Sequence, residues 1–165
     1  MILRPKVVWP ACAALIMAIA AAVGYATWPQ GTSNSAPAGL LRPDDPALVR
    51  QGAGIYEQAC AACHGNQLQG EPDWQTANAD GTLPAPPHDQ TGHTWHHSDD
   101  LLFRITKFGT RKALGLETVA SNMPAFEETL TDEDIVAVLS FIKASWPEDI
   151  RTRHDLLNRS KDAKN

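Results

Sequence analysis

Two thiols three positions apart, followed at once by an imidazole, constrain this chain more than any other stretch: Cys60-Ala61-Ala62-Cys63-His64. This is the spacing at which a c-type haem is attached. Each thiol can add to a haem vinyl group as a thioether, and the histidine then lies under the iron. The two intervening residues let one turn of backbone reach both vinyls while His64 points at the metal. Two rivals share part of the pattern. A thioredoxin-like redox pair also uses C-x-x-C, but in a βαβ context that this chain lacks. A zinc site needs a second pair of ligands, and Cys12 is the only other cysteine. One motif predicts one covalently bound haem.

The segment before the motif predicts where such a protein works. Arg4 and Lys6 precede twenty-two uncharged residues, 7–28, rich in Ala, Val, Ile and Leu. A positive flank before such a run is an export signal. About twenty residues suffice to span a bilayer, and Trp9 and Trp28 sit near the ends, so the run reads as a retained anchor over 1–28. Ala20-Ala21-Ala22 and Gly24-Tyr25-Ala26 offer small residues for cleavage, the soluble periplasmic alternative. Cys12 has no convincing lipobox around it. Residues 29–46, with Gly, Ser, Asn and several prolines, read as a linker. The expected location is the bacterial inner membrane, with the haem domain in the periplasm.

Charge narrows the partners. From residue 31 onward twelve basic residues face nineteen acidic ones, a balance of −7. That does not suit nucleic acid, which calls for clustered Lys and Arg. The partners expected are redox proteins (an oxidase, reductase or dehydrogenase), with the membrane contacted through residues 7–28.

Apolar periodicity predicts short helices and an all-α fold. Leu48, Gly52, Ile55, Tyr56 and Ala59 recur at helical spacing and run directly into Cys60. Residues 65–97 are polar and broken by Pro and Gly; a loop this long needs a cofactor to wrap. Ser98 is a candidate N-cap for a helix stopping at Gly109, and 110–122 reads as a loop. Thr131 and Asp134 form a capping-box pattern for a helix carrying Ile135, Val138, Phe141 and Ile142. Pro147 opens a last, mostly polar helix from Glu148 to about Asn158, within a tail spanning 148–165.

Over 47–147 the chain resembles the class I c-type cytochromes, the monohaem and here membrane-anchored bacterial kind. The resemblance rests on Gly52-x-x-x-Tyr56-x-x-x-Cys60-Ala-Ala-Cys63-His64-Gly65, on Met123-Pro124 in a loop, and on a last helix carrying Phe141. It implies several short helices around one covalent haem, with the first and last helices crossing at Gly52, Tyr56 and Phe141. It implies a second axial ligand from a loop methionine. Met123 matches that place, fifty-nine residues after His64, while Met1 and Met17 fall in the export segment. An ordinary packing methionine is the bland alternative. The resemblance also implies that a proline carbonyl accepts the ring N–H of His64, with Pro84 and Pro86 both in place.

His88, His93, His96 and His97 crowd the same loop as Trp95. Histidine is the commonest metal ligand, but the group is flanked by proline and glycine, with no helical geometry to present two of these imidazoles on one face. The simpler expectation is that Trp95 and one or two histidines cover the haem edge and hydrogen-bond a propionate. One of them could instead displace Met123. The functional expectation is one-electron transfer by a His/Met-ligated haem c, with no catalytic residue. The alternatives are a haem subunit of a larger respiratory or dehydrogenase complex, or a redox- or gas-sensing cytochrome with a labile sixth ligand. A peroxidase of the bacterial two-haem type would need a second C-x-x-C-H.

Overall fold

The structure, a computed structural model, describes residues 39–116 and 120–162. The 7–28 run and the first part of the 29–46 stretch lie outside them. Among the described residues no helix is long and apolar enough to cross a membrane.

The described chain is all-helical. In order, α1 spans Pro46–Ala59, α2 Ala61–His64, α3 Asp99–Phe108, α4 Thr110–Leu114, α5 Asp132–Ala144 and α6 Glu148–Asp162, with a 3-10 turn at Thr94–His96. Asp45 starts α1: its carboxylate accepts from the N–H groups of Ala47 at 3.0 Å and Leu48 at 3.1 Å, and Pro46 has no N–H to satisfy. Leu48, Gly52 and Tyr56, four apart, form the buried face. That face meets α5, whose N-terminus carries the expected capping box between Thr131 and Asp134. α5 is buried almost all round, with Ile135 and Ala137 fully inaccessible, so it is the central rod of the core.

Gly52 is where the two rods touch. A Cβ there would lie 2.5 Å from the Ala137 carbonyl carbon and 2.9 Å from Phe141 Cβ, so only glycine permits this crossing. One turn on, the Tyr56 and Phe141 rings pack with centroids 5.4 Å apart.

Several elements depart from expectation. Residues 110–114, expected in a loop, form the single turn α4 after Gly109, whose φ of +78° lets the chain reverse. Ser98 stands at the N-cap position of α3 with extended backbone, but its side chain makes no capping bond. The described end of the 29–46 stretch is not free linker. Leu41 is buried, its N–H donates to Asp99 at 3.0 Å, and the Arg42 N–H donates to Ser140 Oγ at 2.9 Å. Burying that leucine contributes about 2 kcal/mol. The tail helix α6 is integral too. It buries Ile150, His154 and Asn158, a face that its polar composition hides.

Candidate haem site

The motif sits where α1 ends. Cys60 leaves helical geometry, and its carbonyl accepts from Cys63 N–H at 3.2 Å and His64 N–H at 2.9 Å, closing the one turn of α2. This turn carries both cysteines and His64. Gly65 ends it with φ +79°, and the Tyr56 hydroxyl donates to the Gly65 carbonyl at 2.9 Å. Burial, with smaller contributions from Cys60 and Asp89, pushes the Tyr56 phenol above its ordinary range, so it stays a donor.

His64 is 7% exposed, and its Nδ1 lies 2.9 Å from the Pro86 carbonyl oxygen. Of the two prolines in question, Pro86 is the one placed at His64. The carbonyl can only accept, so Nδ1 carries the proton and Nε2 keeps its lone pair. Burial lowers the pKa of His64, opposed by the Pro86 bond and by Glu71. The result is a neutral imidazole with one free nitrogen, the state a metal ligand requires.

The strip holding Pro86 is fixed from below. The Glu71 N–H donates to the Ala85 carbonyl at 2.9 Å, and the Ala85 N–H donates to the Glu71 carboxylate at 2.6 Å. The N–H groups of His88 and Asp89 both donate to the carbonyl of Leu68, at 2.7 and 3.2 Å. Leu68 is buried with φ +65°, a conformation that costs a bulky residue on the order of 1 kcal/mol. Those two bonds hold it there.

Cys60 is partly buried, Cys63 exposed, and both are free thiols. Burial, then the neighbouring Cys63, pushes the Cys60 thiol up to about 11. The thioredoxin-like rival also wants a βαβ context, and the described elements are all helical.

Met123 is placed on the loop between α4 and α5, partly buried, with its N–H 3.3 Å from Ser121 Oγ. The same loop is tied to the 65–97 segment by Asn122, whose side chain donates to Thr82 Oγ1 at 3.3 Å. Phe126 and Glu127 anchor it to the end of α3 through the Lys107 carbonyl, at 3.1 and 3.0 Å. Trp95, like Cys60, packs against the core cluster that includes Tyr56, and its ring stacks on His96 at 3.7 Å. Its Nε1 is buried with no partner among the described residues.

The residues present fit a haem. Two thiols and a neutral imidazole share one turn, and an orphaned indole N–H suits an acidic group such as a propionate. Among the described residues no group of three or more His, Cys, Asp or Glu side chains could hold a separate metal ion. His88, one of the four clustered histidines, is not distinguished from the others by the sequence. Its ring stacks on His64 with centroids 4.0 Å apart and planes 23° apart. His88 therefore lies beside His64.

This fold and motif define a c-type cytochrome, a haem-binding electron-carrier module. Residues 47–142, more than half of the chain, match the family described as cytochrome c oxidase, cbb3-type, subunit III, and the chain belongs to that family. Comparisons with curated proteins and with solved structures return no match.

Proposed function

We propose that this chain carries one haem c, attached through Cys60 and Cys63, and moves single electrons between redox proteins on the periplasmic side of a membrane. The observation that supports this most is His64, buried on the same turn as the cysteines with Nδ1 bonded to Pro86 and Nε2 free. His64 and Met123 are the two axial ligands in this reading. Bound there, the haem supplies a one-electron Fe(III)/Fe(II) couple, with a potential raised by the methionine. The Pro86 carbonyl orients His64, Tyr56 fixes the turn beneath it, and Trp95 offers its N–H to a propionate. With both axial positions filled by protein, no residue here is catalytic. The 7–28 run tethers the domain.

The family supports a second reading, in which the domain is a haem subunit of an oxidase-type complex. Purification in mild detergent separates the two: a free carrier elutes alone, a subunit with its partners. The carrier reading is tested on the haem-loaded protein by redox titration and by carbon monoxide. A single one-electron wave and no carbon monoxide adduct are expected. Rapid stoichiometric binding of carbon monoxide to the reduced protein would overturn the carrier in favour of an open or labile sixth position.

A further inference from the structure

With His64 as the axial ligand, the reading on which this rests, we propose that His88 is a positioning residue for the ring plane of His64. The segment beyond residue 142 braces His88 through Trp146 and His154. The Pro86 bond holds His64 at one point on the ring edge, Nδ1. The stacked ring of His88, 4.0 Å away, bears on its face, so the tilt of the ring plane is set by both contacts.

His88 is itself held on three sides. Its N–H donates to the Leu68 carbonyl at 2.7 Å, and its own carbonyl accepts the Trp146 indole N–H at 2.7 Å. Its Nδ1 meets Thr94 Oγ1 at 2.8 Å, while that hydroxyl has the Pro87 carbonyl as its acceptor at 3.4 Å. Nδ1–H of His88 is thus the donor, and the ring cannot flip without losing this bond.

The brace lies outside the family segment, which ends at 142. Trp146 is 3% exposed, yet its one polar atom is spent on the backbone of His88. Its ring meets the fully buried His154 edge-on, with centroids 5.1 Å apart, and His154 Nε2 donates to the His97 carbonyl at 2.8 Å. Asn158, one turn further, accepts the Asp99 N–H at 2.9 Å. Trp146 and helix α6 together therefore grip the 88–99 segment at both ends.

The test is electron paramagnetic resonance of the ferric, haem-loaded protein, with the midpoint potential measured alongside. The g-values of a low-spin haem report the orientation of its axial ring. H88L removes the stack, and its g-values and potential are expected to shift. H88F restores a ring, and its g-values are expected to return toward the parent's. W146F keeps the packing but loses the N–H, and should shift in the direction of H88L by less. T152A, on the exposed face of α6, should match the parent. Parental g-values and potential in a folded H88L would overturn the positioning role. Should H88L not accumulate, parental values in W146F would overturn the brace on their own. A parent chain without haem, seen first in its absorption spectrum, would instead overturn the function proposed above.

Discussion

Gly52→Ala is the sharpest test of how the fold is held. A methyl group at this position would stand 2.5 Å from the Ala137 carbonyl carbon and 2.9 Å from Phe141 Cβ, and closer still to the Ala137 oxygen. Unstrained carbon–carbon contacts run at about 3.5–4.0 Å, so α1 and α5 must part by about 1 Å. The partner is backbone within a fully buried helix, so no side chain can swing aside. Overpacking of this kind costs about 3 kcal/mol or more. Alanine's better helix propensity returns about 1 kcal/mol, leaving a net loss of about 2 kcal/mol. The parting also disturbs the Tyr56–Phe141 contact and, through Tyr56, the Gly65 carbonyl next to His64. Gly54, on the same helix, is the internal control. A Cβ there meets nothing within 4 Å, so G54A should gain up to about 1 kcal/mol. Equilibrium urea unfolding of the haem-loaded proteins measures both. If G52A matches G54A or exceeds the parent, the helix crossing argued here is wrong.

Three further perturbations follow from buried groups and the proposed ligand Met123. Burial, then Lys143, lowers the pKa of His154 below its ordinary 6.5, so the unfolded chain takes up a proton before the folded one does. The stability from a neutral His154 is thus complete above pH about 6.5 and falls as pH drops toward the lower folded value. H154Q should flatten that part of the stability profile between pH 7 and 5, and an unchanged slope would refute the assignment. Lys143 is almost wholly buried and pairs with the partly exposed Asp155 at 2.6 Å. D155N should therefore cost about 2 kcal/mol in urea unfolding, against less than about 0.5 for D100N in the exposed 3.9 Å pair with Arg104. Met123→His should keep a low-spin spectrum but lower the midpoint potential; an unaltered potential would remove Met123 from the iron.

Local rules carried much of the architecture. The α1 periodicity, the Thr131–Asp134 box, the stop at Gly109 and the Gly52–Tyr56–Phe141 contact were all legible, because each depends on neighbours in sequence or on a known helix pairing. The choice of Pro86 over Pro84 was not legible. It depends on how 68–71 grips the proline strip, through a leucine in an unfavourable backbone conformation that nothing in its residue type announces. Helix α6 was legible as a mostly polar helix after Pro147, but its burial was not. Its buried face uses His154 and Asn158 in place of aliphatic residues, so hydrophobic periodicity cannot see it. Their partners, Asp99 and the His97 carbonyl, lie more than fifty residues away. The same long-range bonding folds residues 39–45 onto the domain, where composition alone indicated a tether.

The central claim is one haem held covalently by Cys60 and Cys63. Cleavage after Arg50 and Arg104 releases residues 51–104 as a single peptide containing the whole motif. Mass spectrometry of that peptide, from protein made in a host that matures c-type cytochromes, tests the claim directly. The prediction is the peptide mass plus one haem, lost when both cysteines are changed to alanine. The bare peptide mass from the parent protein, or haem retained on the double variant, would contradict it.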